Sequence, residues 1–449
     1  MNAAMFTDLY ELTMAQAYLR EGMQQPAVFE LFFRKLPDCR NFVVAAGLEN
    51  VLEMLEGLRF TAEDLDYLRK QAQFGADFLD YLKDFRFTGD VYAPAEGTVV
   101  FPHEPLVQVV APLPMAQIIE TLVLNQVHFA SLVAAKAARI VLAAGKRKVV
   151  DFGSRRAHGI DAALTMARAT YLLGAAGTSL VLAGQKYGIP IFGTMAHSYI
   201  QAHDGELGSF RAFAKLYPDT TLLVDTYDTL DGVRKVIELQ RQLGDDFGVA
   251  AIRLDSGDLE QLAHDSRRLL DEAGLQDVTI FASGGLDEYK LRDFDEAAAP
   301  IDGYGVGTAL AVSDDAPSLD MAYKLVRYDG RPRTKLSSSK VIYPGRKQVY
   351  RQFTAGQMTK DLVALHDEPS DGEPLLVPVM REGERLPAGR VSLEQSREHA
   401  RNQLHKLPPA LRSLATAESP YCVEISEGMQ RSLDRFRRSH AAGEETVRP

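Results

Sequence analysis

Cysteine is nearly absent from this sequence: among 449 residues only Cys39 and Cys422 carry a thiol. Two cysteines supply neither a disulfide framework nor a cysteine-rich zinc site, so a reducing compartment and a cytoplasmic protein are expected. Positive charge is in deficit. The formal net charge is -11, which argues against a nucleic acid or an anionic membrane as partner. Uninterrupted apolar runs are lacking too. The most apolar stretch, ASLVAAKAARIVLAAG (130–145), contains Lys136 and Arg139 and is expected not to span a bilayer. The opening residues, MNAAMFTDLYELTM, have no basic segment followed by an apolar one, which argues against a signal peptide. There is no H-E-x-x-H, no Cys-x-x-Cys pair, no P-loop and no dinucleotide fingerprint.

What is there is ordinary globular composition, 46% hydrophobic and 25% charged, long enough for a large core and more than one domain. Up to residue 145 the pattern mixes α and β without regular order. A first helix over DLYELTMAQAYLREG is expected to open on an Asp8–Glu11 capping box and stop at Gly22. A strand over 27–36, short β runs over 91–113 and helix over 115–145 follow. From Lys146 the order becomes regular. Strand-like runs recur at 148–152, 188–193, 220–225, 248–255, 278–283 and 301–307, with helical stretches such as 230–243 and 258–274 between them. Strand and helix alternating at this spacing imply parallel strands with right-handed crossovers. The expected fold class is therefore α/β: an irregular TIM-type βα barrel over 146–351, with an N-terminal α/β domain over 1–145. A C-terminal helical extension over 352–449 would pack back on the N-terminal region and end in a disordered polar tail. An open doubly wound sheet is the alternative. Further expectations are a hairpin turn at Asp329-Gly330, a turn-rich linker over 366–374 and a capping box at Ser392–Gln395.

In a βα barrel, chemistry collects at the C-terminal ends of the strands. Those ends read DFGSRRAHG (151–159), GTMAHS (193–198), DTYD (225–228), RLDSGD (253–258), SGG (283–285) and GVGT (305–308). Ser283, Gly284 and Gly285, with Gly305, Gly307 and Thr308, suit phosphate, because glycine lets backbone N–H groups approach an anion closely. Tight turns are the alternative for each. Arg155, Arg156 and Arg253 are candidates to grip phosphate or carboxylate rather than form surface ion pairs. Asp225, Asp255 and Asp258 are candidates for a Mg2+ shared with a polyphosphate, with helix capping the other reading for Asp225 and Asp258. Asp314-Asp315 reads as a solvated turn rather than a metal pair. His197 alone reads as a structural histidine; in this company a nucleophile or acid–base role reads better.

The segments TDLYELTMAQAY, DFGSRRAHG, GTMAHS, RLDSGDL and KVIYPGRKQVYR (340–351) together resemble the nicotinate phosphoribosyltransferases, in that family's order and over residues 7–351. The resemblance implies transfer of phosphoribosyl from phosphoribosyl pyrophosphate (PRPP) to nicotinate in NAD salvage. It implies ATP as co-substrate (a ligase-type classification), Mg2+ carried with PRPP and ATP and not held tightly by protein ligands alone, and a homodimer. In that homodimer Tyr10 would cross into the partner's site. It further implies a phosphorylated His197, with Arg253 and Asp255 as catalytic PRPP-site residues and Asp225 beside them. Nicotinate would be bound by Tyr10, Phe152, Arg155, Ser179 and Thr194. Related amide-using enzymes carry aspartate where this chain has Ser179, so a carboxylate substrate is favoured. A nicotinamide or quinolinate enzyme, or a non-catalytic nucleotide-binding barrel, are the competing readings. Residues 331–340, basic and rich in serine, are the candidate for a mobile cover.

Overall fold

The computed structural model describes residues 3–336 and 342–441. Part of the candidate cover, 337–340, and the polar tail beyond 441 lie outside the described residues. The chain divides into two compact units, Met1–Ala134 with Ser318–Pro449, and Ala135–Pro317. Residues 318–351, assigned from the sequence to the barrel, therefore belong to the first unit.

The reason lies in strand pairing. Pro26–Phe33 is buried along nearly its whole length, and such a strand needs partners on both edges. It runs antiparallel to Val107–Pro112 on one side and to Met321–Tyr328 on the other. The latter turns back at Asp329-Gly330, both at positive φ, as the hairpin reading expected. Val377–Arg381 extends the same sheet by pairing with Asp90–Ala93. Residues 352–449 are consequently not a purely helical extension. Lys347–Thr354 and Gln357–Leu365 form a hairpin, Cys422–Ile425 lies parallel to the second of these, and helices Leu393–Lys406 and Glu427–Ala441 accompany them. The Ser392–Gln395 capping box is present. The Asp8–Glu11 box is not: Asp8 makes no side-chain cap bond. Glu11 is instead fully buried and accepts hydrogen bonds from the Thr7 hydroxyl at 2.6 Å and the Thr121 backbone N–H at 3.0 Å.

The second unit holds six parallel strands: β1 (Lys148–Asp151), β2 (Gly177–Thr178), β3 (Thr220–Leu223), β4 (Val249–Leu254), β5 (Thr279–Ser283) and β6 (Gly303–Val306). Their order is β2-β1-β6-β5-β4-β3, so the first strand lies beside the last, the adjacency that ring topology requires. The ring stays open. Residues 188–193 contribute only a single parallel bridge, Ile191 to Thr178, and no described ladder joins that segment to β3. Pro190 has no N–H to donate, which is why this run is not a strand. The TIM-type expectation thus resolves to a mixed α/β fold with a curled, unclosed parallel sheet. Helix Glu120–Ala144 has the length and apolarity of a membrane span despite Lys136 and Arg139, yet most of it is buried inside the protein.

Candidate active site

Arg253, Asp255, Asp225, Ser283 and Phe152 stand at or just beyond the C-terminal ends of strands in the second unit, as the alternation predicts, whereas Thr194 and His197 follow a segment that forms no strand. Arg253, near the end of β4, is largely covered, with 13% of its side chain exposed. Its Nη1 donates to the Thr194 hydroxyl, and its Nη2 lies 3.9 Å from Asp255 Oδ1. Its Nε makes no hydrogen bond among the described residues although it is buried. Burial lowers the Arg253 pKa from its ordinary value; Asp255 and Asp225 oppose that shift, and the charge of Arg155 adds to it. A desolvated guanidinium with an unused donor is a group poised to bind an anion.

The carboxylates beside it are tied into the strand ends. Asp225 Oδ2 accepts from the Asp255 backbone N–H at 3.0 Å and from the Ser256 hydroxyl at 2.7 Å, while its buried Oδ1 has no partner among the described residues. Asp225 is therefore not a helix cap; the cap of Thr229–Leu243 is Asp228. Asp258 does cap its helix, accepting from the Gln261 N–H at 3.1 Å. The hydroxyl of Ser283 donates to Asp255 Oδ1, joining the end of β5 to the end of β4. Gly284 packs so closely here that a Cβ on it would lie 1.8 Å from the Asp255 carbonyl oxygen.

Phe152 lies beside Phe281, with ring centroids 5.9 Å apart. Its ring occupies the space that a side chain at Gly305 would fill, since a Cβ there would come within 2.5 Å of it. Gly307 precedes Thr308, which opens a helix of five residues, Thr308–Val312. Arg155 and Arg156 lie exposed on a short 3-10 turn, Ser179 is exposed, and Tyr10, 45% exposed, belongs to the first unit.

His197 begins a short helix, half-buried, and its Nδ1 lies 3.1 Å from the Thr226 hydroxyl. Thr226 was not singled out from the sequence; its only signal was its place in DTYD after β3. Asp151, at the end of β1, was likewise missed. It is fully buried, accepts from the Thr178 hydroxyl at 2.6 Å and the Gly153 N–H at 2.7 Å, and burial pushes its carboxyl up to about 6.

Asp314-Asp315 does form a turn with Asp314 exposed, as expected, but its carboxylates also pair with a buried ammonium. Lys136 lies 3.1 Å from Asp314 and 2.9 Å from Asp315, and 2.7 Å from the buried Glu288.

Residues 5–128 match the profile of the nicotinate phosphoribosyltransferase N-terminal domain, and residues 147–342 that of the nicotinate phosphoribosyltransferase family. The chain is 56% identical to nicotinate phosphoribosyltransferase pncB2 of Mycobacterium tuberculosis, over 98% of this chain and 95% of that one. It belongs to the nicotinate phosphoribosyltransferase family. The Bacillus subtilis nicotinate phosphoribosyltransferase is 44% identical over 81% of this chain and 76% of its own length. The crystal structure of human nicotinic acid phosphoribosyltransferase has the same fold, with a TM-score of 0.85, 30% identity, and coverage of 96% of this chain and 99% of that one. The family members align over both units, so the likeness is not confined to the parallel sheet.

Proposed function

We propose that this protein transfers phosphoribosyl from PRPP to nicotinate, giving nicotinate mononucleotide and pyrophosphate in NAD salvage, and that it couples the transfer to ATP hydrolysis through a phosphohistidine at His197. The observation that carries the reading is the Arg253 guanidinium, desolvated, with an unpartnered Nε, held between Thr194 and an Asp255 that the Ser283 hydroxyl ties to the loop after β5. The naming of relatives at 56% and 44% identity points the same way.

Nicotinate attacks through its pyridine nitrogen, whose lone pair needs no deprotonation. The N–C1 bond forms as the C1–O bond to pyrophosphate breaks, and the electron pair leaves on pyrophosphate. Positioning and charge stabilisation suffice, which fits a site of arginine, backbone N–H groups and aromatic faces rather than a strong base. Phe152 offers one face for the ring, and the exposed Tyr10 of a second copy would offer the other. Ile160, Val181, Ile191 and Tyr227, all exposed apolar residues of the second unit, suit burial against that copy in a homodimer. Among the described residues no three His, Cys, Asp or Glu are gathered to hold a metal. Mg2+ arriving on PRPP or ATP would draw on the free Asp225 Oδ1 and on Asp255, and would neutralise charge on the departing pyrophosphate.

The reading is tested by offering equimolar nicotinate and nicotinamide with PRPP and Mg2+, with and without ATP. Nicotinate mononucleotide alone, formed faster with ATP, is the expected result. Product from nicotinamide, or from neither, overturns it.

A further inference from the structure

The two glycine loops at the phosphate end of the second unit are not self-supporting. The SGG loop runs into helix Glu288–Glu296, whose first residue carries a carboxylate that is 0% exposed. The GVGT loop runs through the helix Thr308–Val312 into Asp314 and Asp315, after Ser313 turns the chain at φ 45°. Both carboxylate groups converge on one ammonium. Lys136, 2% exposed, lies 2.7 Å from Glu288 Oε2, 3.1 Å from Asp314 Oδ1 and 2.9 Å from Asp315 Oδ1. Arg139, one helical turn on, holds the other Glu288 oxygen at 2.8 Å and the Tyr289 hydroxyl at 2.9 Å. Lys290, two residues beyond Glu288, donates back to the Gly285 carbonyl at 2.8 Å, so the near end of the helix is also tied to its loop.

We propose that Lys136 is a positioning residue for the phosphoribosyl donor: its buried ammonium fixes the loops after β5 and β6 in one spacing, so that their backbone N–H groups meet the same phosphates. The inference rests on the functional reading above. A buried charge is retained at a desolvation cost unless its partners compensate it. Three carboxylates from two loops do so here, and burial alone, which would lower the Lys136 pKa, is outweighed by Glu288 and Asp315. Lys136 does not touch the substrate. It acts through the registry of Ser283–Gly285 against Gly305–Thr308, and small shifts in such registry weaken anion binding steeply.

Lys136→Met keeps the length of the side chain and removes the charge that the three carboxylates share. In the intact enzyme its KM for PRPP should rise about tenfold while KM for nicotinate stays within about twofold, since Phe152, although packed over Gly305, is carried on the end of β1. A merely structural role would lower the yield of active protein and leave both KM values alone. Should Lys136→Met fail to fold, Asp314→Asn decides: Asp314 is half-exposed, and its loss should raise KM for PRPP about threefold. An unchanged KM for PRPP in either folded variant, or equal rises in both KM values, overturns the proposal. If the wild type makes no nicotinate mononucleotide, the functional reading fails by itself. Inorganic pyrophosphate affinity, by calorimetry, then tests the loops directly: about tenfold weaker binding in Lys136→Met sustains the role, and equal binding ends it.

Discussion

The imidazole of His197 and the hydroxyl of Thr226 meet at 3.1 Å between Nδ1 and Oγ1, linking the segment that follows Ile191 to the loop that follows β3. One ring nitrogen is thereby engaged and the ring orientation set, as a nucleophilic histidine requires. His197→Ala should abolish labelling of the enzyme by γ-labelled ATP and remove the stimulation of nicotinate mononucleotide synthesis by ATP, with slow ATP-independent synthesis surviving. Thr226→Val should keep the labelling but slow it several-fold. Undiminished labelling of His197→Ala would sink the phosphohistidine assignment.

Asp151 predicts a pH dependence of stability. Burial raises its carboxyl from the ordinary 3.8 to about 6, opposed by its bonds from Thr178 and Gly153. Because the folded-state pKa is the higher one, the folded protein holds this proton more tightly than the unfolded chain. The contribution is most favourable below about pH 4 and is lost as pH rises through about 6. Asp151→Asn does not titrate, so the difference between variant and wild type cancels the other groups. Urea denaturation at pH 4 and pH 7 should show that difference moving towards the variant by about 2 kcal/mol. A difference independent of pH would remove the raised carboxyl.

How much of this was legible follows from which forces are local. The strands near 148, 220, 249, 279 and 303 are runs of apolar residues followed by Gly, Asp or Ser, and they are where the pattern put them. The two-residue β2 is too short to leave a pattern, and Pro190 disqualified a run that looked equally apolar. The hairpin Lys347–Thr354 with Gln357–Leu365 had a readable turn at Ala355-Gly356, overlooked in favour of the helical stretches around it. Asp8 and Glu11 show the opposite failure: a good local motif was overridden when Thr121, far along the chain, took the Glu11 carboxylate. That Arg253, Asp255, Asp225 and Ser283 gather was legible because each sits at or just beyond a strand end. Asp151, Thr226 and the Lys136 partners were not, because their roles are set by neighbours 27 to 179 residues away, as in Asp151–Thr178 and Lys136–Asp315.

The SGG loop predicts unequal tolerance of its two glycines. Gly284 has φ 93°, and a Cβ on it would meet the Asp255 carbonyl oxygen at 1.8 Å; Gly285 has φ 61° and meets only the tip of Lys290, at 3.5 Å. Gly285→Ala should cost about 1 kcal/mol, the penalty of the left-handed region alone. Gly284→Ala must also displace the end of β4, and should cost about 1–3 kcal/mol more and raise KM for PRPP, because Asp255 moves with it. Thermal denaturation of the two variants side by side reads this directly. Equal losses would mean that the loop relaxes away from Asp255 without effect.

Ser179 predicts the choice between acid and amide. Its backbone N–H donates to the Asp151 carbonyl at 2.8 Å, which fixes the position of its Cα, while its side chain is exposed and free of the buried Asp151–Thr178 pair. A carboxylate at this position changes charge without disturbing the core. Ser179→Asp would repel the nicotinate carboxylate through partly solvated space, where about 1.4 kcal/mol, a factor of ten, is a reasonable size for such an interaction. KM for nicotinate should rise about tenfold and KM for PRPP should stay within about twofold, while nicotinamide, being neutral, incurs no such penalty. The measured quantity is the ratio of kcat/KM for acid and amide in competition. A tenfold fall places Ser179 at the edge of the ring site, and an unchanged ratio removes it from substrate selection altogether.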